Sequence, residues 1–449
     1  MTTRSIAVLA FLMFALPAAA RQASTDTASG PSTPAASEAA STDDAASTQQ
    51  ATQIDELRRR VDVLAAEVEK LRSGEPEQQD LSDERRRALG VAPSAAAIYR
   101  RASQGVSIAG YGEMLLENFN STSESGARNA PTTRLDFLRA VVYTGYRFND
   151  RFLFNSEIEV EHANEIGVEF AYVDYVATEN LTLRGGMMLL PLGLVNEFHE
   201  PTVFVGARRP ETEQRILPST WRENGAGILA TFGMINGRAY VTNGFNGGGF
   251  TSAGLRGGRQ KGASARAANL AFSGRLDVTP TPGVFGGVGV YTGGSGQEQV
   301  VFNGERLALG TTIAEVHGQA QARGIDFRTL FARSTVDDAG DASRALRLAT
   351  TAPIAETMQG GYVQLGYNVL SQFNTPLSLM PFFRYEHVDT QHRVPAGFTR
   401  DLSRAGDFKT LGVELKPIPN VVLKTDYQRV TNEAGTGRNQ FNVSLGYAF

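Results

Sequence analysis

A chain of 449 residues has room for two or three ordinary domains or for one large barrel. A formal net charge of −4 leaves no basic footprint for nucleic acid, and the lack of cysteine removes disulfides, thiolate metal sites and cysteine nucleophiles together. Hydrophobic residues make up 41%, yet no apolar run reaches the roughly 18–20 residues of a membrane-spanning helix.

The opening stretch, MTTRSIAVLAFLMFALPAAA, has one basic residue (Arg4), an apolar core from Ile6 to Leu16, Pro17 and a small-residue site at Ala18–Ala20. That is the pattern of an export signal over residues 1–20. Residues 21–53 are Ala, Ser, Thr and Pro with almost no large apolar side chain, so they read as a disordered linker. Over 54–73, Ile54, Leu57, Val61, Leu64, Val68 and Leu71 are spaced 3, 4, 3, 4, 3, a heptad seam for a short coiled coil. About two and a half heptads are marginal alone, so the coil needs a body that already associates. Gly74 and Pro76 stop the helix, and 74–104 is expected to be a second linker.

From Gly105 onward the periodicity is two. In FNSEIEVE, Phe154, Ile158 and Val160 share one face while Asn155, Glu157, Glu159 and Glu161 share the other. NLAFSGRLDV, GIDFRTLF and GGYVQLGYNV repeat the pattern; LDFLRAVVY does not, because Arg139 falls on its apolar parity. About sixteen such runs reach Phe449, joined alternately by tight turns (RFNDRF, INGR, TPTPG, KPIPN) and by long loops. This predicts an all-β fold: a sixteen-stranded antiparallel transmembrane β-barrel over 105–449, preceded by a short periplasmic coiled-coil helix. A soluble sandwich is disfavoured, since its core would have to hold the charged faces, and backbone in hydrocarbon must close on itself. The lumen is expected to carry Glu157, Glu159, Glu161, Arg275, Arg328 and Arg384. The alternation of NQFNVSLGYAF puts Tyr447 and Phe449 on the lipid face, in the form of a C-terminal barrel-assembly signal.

The most informative loop is PLGLVNEFHEPTVFVGARRPETEQRILPSTWRENGAGI, with the only tryptophan, Trp221. By strand count it is the third connection on the long-loop side, expected to fold inward and constrict the pore with Arg208, Arg209, Arg215, Arg222, Glu197 and Glu200. Those arginines suit anionic ligands, or equally pair with the loop's own glutamates.

The run FAYVDYVATENLTLRGGMMLLPLGL, with the strand layout and the preceding coil, resembles the phosphate-selective porin family (the O and P type outer-membrane porins). The correspondence falls on Ala171, Tyr172, Gly186, Pro191 and Gly193; where that family often has a lysine before the proline, this chain has Met187, Met188, Leu189 and Leu190. The resemblance implies passive diffusion of small hydrophilic solutes, including anions such as phosphate, through a homotrimer in the outer membrane of a Gram-negative bacterium, with the N-terminal segment in the periplasm. Outer-membrane lipid, the barrel-assembly machinery and the solutes are the expected partners. An alternative is an envelope tether in which the coil meets the cell wall and the barrel only anchors it. No H-E-x-x-H, P-loop or G-x-S-x-G motif occurs, so no enzyme activity, cofactor or metal is expected.

Overall fold

The computed structural model describes residues 55–63, 81–128 and 131–449. The chain divides into two compact units, Met1–Gly74 and Glu75–Phe449. In the first, residues 55–63 form an exposed helix, α1. The expected signal, the 21–53 linker and the rest of the heptad segment lie outside the described residues.

The second unit begins differently from the expected linker. Ser82 caps α2 (Asp83–Leu89), accepting a hydrogen bond from Arg85 N–H, and Gly90 ends it in the left-handed conformation. A short turn leads to α3 (Ala97–Arg100). Leu89, Val91, Ala92, Ala95, Ala96 and Ile98 are buried against inward-facing barrel side chains. The expectation of a linker over 74–104 is therefore corrected for 81–104. Small residues that look like tether composition are here the sizes that fit inside a barrel.

The strands follow: β1 (Gly105–Phe119), β2 (Arg134–Arg147), β3 (Phe152–Glu161), β4 (Glu165–Thr178), β5 (Leu181–Leu189), β6 (Arg222–Phe232), β7 (Ile235–Asn243), β8 (Leu270–Thr281), β9 (Val284–Gly294), β10 (Val301–Phe302), β11 (Glu305–Arg306), β12 (Gly310–Ala322), β13 (Ile325–Val336), β14 (Thr357–Tyr367), β15 (Ser378–Arg393), β16 (Ala405–Ile418), β17 (Val421–Asn432) and β18 (Gln440–Ala448). Helix α4 (Glu211–Arg215) lies between β5 and β6, and α5 (Ala339–Ala345) between β13 and β14. β10 and β11 form a separate ribbon; the other sixteen strands close one antiparallel barrel, with β1 beside both β2 and β18. Closure runs from Phe119↔Gln440 to Tyr111↔Ala448 and extends past β18, where Gly110 and Phe449 exchange two backbone hydrogen bonds of 2.9 Å.

Outward parity carries Ile158, Val241, Phe272, Leu276, Leu411, Phe441, Tyr447 and Phe449, all exposed, while the intervening polar residues are buried. This apolar exterior suits lipid. No helix among the described residues is long and apolar enough to cross a membrane, which says nothing of strands. Most short turns gather at one end and most long loops at the other; residues 162–164 join β3 and β4 tightly on the long-loop side, and 368–377 join β14 and β15 on the short-turn side. The turn expected at INGR sits instead at Gly233–Met234, with Phe232 paired to Ile235.

Register shifts interrupt several strand pairs, and two of them re-aim residues of the lumen. Glu113 pairs with Arg139 but Leu115 pairs with Asp136, so Phe137 and Leu138 together face Met114. The extra residue re-aims everything beyond it, which is why Arg139 lies in the lumen although simple alternation put it on the apolar face. On β4, Phe170 pairs with Glu157 and Val168 with Ile158, leaving Glu169 unpaired between them.

Candidate functional site

The third long loop, 190–221, runs inside the barrel. Its neck is closed by Leu190 N–H donating to the Trp221 carbonyl (3.0 Å). Asn196 spans the neck too: its amide donates to the carbonyls of Leu190 (2.7 Å) and Trp221 (3.0 Å), and its oxygen accepts from Trp221 N–H (2.6 Å). Trp221 is fully buried, stacked on Phe245 at 4.2 Å and tilted against Tyr291. Glu213 holds the loop's middle, accepting from Leu194 and Val195 N–H at 2.9 and 2.7 Å and from the Tyr362 hydroxyl at 2.6 Å. Gly193 has φ 72°, and a Cβ there would meet a Glu213 oxygen at 2.5 Å.

The loop then crosses to the opposite wall. Lys424 donates to the Phe204 carbonyl (2.7 Å), Arg384 to the Val205 carbonyl (3.1 Å), and Ala207 N–H donates to Asp426 (2.7 Å). Gly186, on the wall beneath the neck, pairs with Tyr172, where a Cβ would meet the Ala171 carbonyl at 2.4 Å.

Most of the expected constriction arginines are ion-paired. Arg208 contacts Glu117 (2.9 Å) and Glu211 (3.3 Å), Arg215 contacts Glu211 (2.7 Å), and Arg222 contacts Glu169 (2.6 Å). Arg209 instead donates to the His199 carbonyl (3.4 Å) and lies over the Phe204 ring. Glu197 pairs with Arg238 at 2.9 Å. The lumen charges are coupled likewise: Glu159 and Glu161 with Arg139, Arg275 with Asp277, Arg328 with Asp326, and Arg384 with Glu386. Glu157 accepts from the Tyr111 hydroxyl at 3.2 Å.

Residues 81–101 fill the side of the lumen that the loop leaves open. Arg184, paired in two contacts to Asp174, donates to the Leu89 carbonyl and the Tyr99 hydroxyl, both at 3.1 Å. Asn155 donates to the Ala95 carbonyl at 2.9 Å. Arg238 reaches the Arg87 carbonyl, and the Arg87 guanidinium stacks over Phe285 at 4.2 Å. Glu200 accepts from Ser94 N–H (2.9 Å), Ala95 N–H (3.3 Å) and the Ser94 hydroxyl (3.2 Å), joining this plug to the third loop.

Two cavities flank the third loop. One of about 510 Å³ opens toward the short-turn end, lined by Arg86, Arg87, Arg275, Asp326, Arg328 and Lys416 among others. One of about 270 Å³ lies toward the long-loop end, lined by Glu113, Glu117, Arg139, Arg208, Arg209 and Arg256 among others. Thr202, Val203 and Val205 border the first and Phe204, Ala207, Arg208 and Arg209 the second, so segment 202–209 separates them.

Burial pushes the Glu200 carboxyl up to about 7, with the Ser94 and Ala95 amides opposing and Glu157 reinforcing; Glu197 is also pushed up by burial. A carboxyl raised in the docked state favours docking fully below its free value and loses that contribution as pH climbs through about 7. Plug docking is therefore expected to weaken from pH 5 to pH 8, and conductance in planar bilayers to rise over that range. Glu200→Gln should flatten the dependence. A parent conductance unchanged across the range would refute the assignment.

A protein of Aquifex aeolicus (strain VF5), described as an uncharacterized protein, is 36% identical over 377 residues, spanning 80% of this chain and 83% of its own. The two belong to one family. No family model matches the chain. Among solved structures, the anion-selective porin from Comamonas acidovorans superposes with a TM-score of 0.50 at 11% identity, over 77% of this chain and all of its own (100%). The outer membrane channel DcaP of Acinetobacter baumannii gives 0.49 at 12% identity, over 78% and 98%. At 11% identity the likeness to the Comamonas barrel is one of fold.

The plug and two residues of the site, Glu169 and His199, had no part in the expected constriction. Simple alternation groups Glu169 with Ala171 and Val173 on the lipid face. A glutamate on that parity is itself the signal of a bulge.

Proposed function

We propose that this protein is an outer-membrane porin through which small hydrophilic solutes diffuse, its path narrowed where the third loop and residues 81–101 meet. The reading rests on one observation: an apolar-faced closed barrel whose charged lumen holds a cavity at each end, with segment 202–209 between them. Such a channel needs favourable entry and easy exit, with no bond chemistry. Location in a Gram-negative outer membrane, a periplasmic N-terminal segment and insertion by the barrel-assembly machinery follow from the same reading.

Single-channel recording of the purified protein tests it. Discrete conductance steps are expected; a folded barrel that never conducts would favour the tether. Anions such as phosphate are the proposed preferred solutes, drawn by Arg209, whose guanidinium meets no carboxylate in an ion pair among the described residues. Arg209→Gln should lower the anion-to-cation permeability ratio by on the order of twofold at low salt, less at high salt. Arg208→Gln and Arg215→Gln should change it less, because each removes a cation together with its pairing to Glu117 or Glu211. Equal shifts from all three would discard Arg209 as the selective group.

The proposed assembly is a homotrimer held by barrel contacts and reinforced by the 54–73 coil. Light scattering in mild detergent should give three chains per particle, and removing residues 54–73 should leave a trimer of lower melting temperature. A monomeric parent would overturn it.

A further inference from the structure

Three buried groups converge where β3, β4 and the third loop meet. His199 Nε2 lies 3.1 Å from Glu157 Oε1 and 3.7 Å from Glu169 Oε2. One ligand atom from each residue falls within 4.8 Å of the others, and all three residues are at most 1% exposed.

The surroundings prepare them as ligands. His199 Nδ1 lies 2.9 Å from the Asn196 carbonyl, which can only accept, so Nδ1 carries the proton. In the neutral ring, Nε2 then presents a lone pair to two carboxylates, an arrangement that is repulsive without a cation between them. Glu157 Oε2 and Glu169 Oε2 are buried; the first has no hydrogen-bond donor, and the Glu169 side chain lies against Glu159. The other Glu169 oxygen is held by Arg222 (2.6 Å) and by the Thr220 hydroxyl (3.2 Å), while Tyr111 donates to Glu157 Oε1 (3.2 Å). The bulge on β4 is what turns Glu169 inward, and bulges gather where a side chain must be re-aimed.

We propose that Glu157, Glu169 and His199 form a binding site for a divalent transition cation, of which zinc is the type. Around such an ion, with bonds of about 2.0–2.2 Å, neighbouring ligand atoms stand roughly 3–3.5 Å apart, close to the 3.1 and 3.7 Å found. Two carboxylates and a neutral imidazole supply the ligands, with Arg222 held on the outer oxygen of Glu169. A mixed nitrogen and oxygen set suits zinc, manganese or ferrous iron better than magnesium or calcium, which take oxygen alone. The ion would fasten the third loop to the β3–β4 wall one residue before Glu200, which holds the plug. The site stands whether or not the barrel conducts.

The competing arrangement is a protonated His199 acting as its own cation between the carboxylates. Full-length protein in detergent, stripped with chelator, then incubated with Zn²⁺ and desalted, separates the two. Stoichiometric retained zinc and a higher melting temperature are expected. With Co²⁺ in place of Zn²⁺, a visible ligand-field band should appear in the parent, a readout that needs no variant. His199→Gln and Glu169→Gln should each weaken retention at least tenfold while keeping the heat-modifiable shift of a folded barrel; His162→Gln, at an exposed position, should not. No retained metal and no cobalt band in the parent would overturn the proposal in favour of the imidazolium. Undiminished binding by a folded His199→Gln would place the metal elsewhere and overturn it too.

Discussion

A chain lacking residues 81–101 is expected to conduct several-fold more current than the parent while still forming a barrel. The plug fills the half of the lumen lined by Tyr111, Tyr143, Phe170, Tyr172, Leu229 and Tyr240. It is held by Arg184, Asn155, Arg238 and Glu200 rather than by any strand pairing. Excision leaves the barrel's hydrogen-bonded wall intact and takes away only what occupies its bore. A milder variant isolates the same effect. Ile98 is fully buried against Gly145, where a Cβ would come within 2.6 Å of it. Ile98→Ala should loosen docking by about 2–5 kcal/mol, the usual range for emptying a buried aliphatic site. Ile98→Asp should go further, because a carboxylate there has no partner. Open-channel current should rise in the order parent, alanine, aspartate, excision. Equal currents from folded parent and excised protein would mean that the plug lies off the conducting path.

Inserting one residue between Val443 and Ser444 is expected to abolish folded barrel. In β18, Gln440, Asn442 and Ser444 are buried and Phe441, Leu445 and Tyr447 are exposed. Gln440 donates to Gln428 (3.0 Å) and Asn442 to Asp426 (2.8 Å). The strand is hydrogen-bonded on both edges, to β1 and to β17, so neither neighbour can absorb a slip. A shift by one would turn Leu445, Tyr447 and Phe449 inward and bring polar groups to hydrocarbon. Loss of the heat-modifiable species in membranes is the readout. Removing Phe449 alone should cost less, since it deletes two backbone hydrogen bonds and one aromatic ring. Normal levels of folded protein after the insertion would contradict the register.

Strands with one wet and one lipid face announce themselves, because each parity meets a single solvent. That is why the faces of β3, β8 and β18 could be read residue by residue. Arg139 and Glu169 could not be placed that way, since a bulge adds one residue and inverts everything beyond it, and no side chain marks the spot except by looking misplaced. The plug was illegible for another reason. Alanine-rich sequence has little apolar surface per residue, and nothing local shows that a barrel will enclose it. The third loop stood out by length, proline and Trp221. Its pairing was visible in part: Arg208 and Arg215 meet the loop's own Glu211, whereas Arg208 also finds Glu117 and Arg222 finds Glu169 across the lumen, partners fixed by closure rather than by spacing.

The bonds between Gly110 and Phe449 join positions separated by nearly the whole second unit. Loop-closure entropy makes contacts of that span the slowest to form. Until they do, β1 and β18 each present an open row of amides and carbonyls, the edge on which β-sheet proteins aggregate. The plug precedes β1 directly and packs on strands from β1 to β9, so it can settle against that part of the wall before the seam is sewn. The order in time would then be curved sheet with its filling first and ring last, and the seam between β1 and β18 would be where a stalled intermediate is caught.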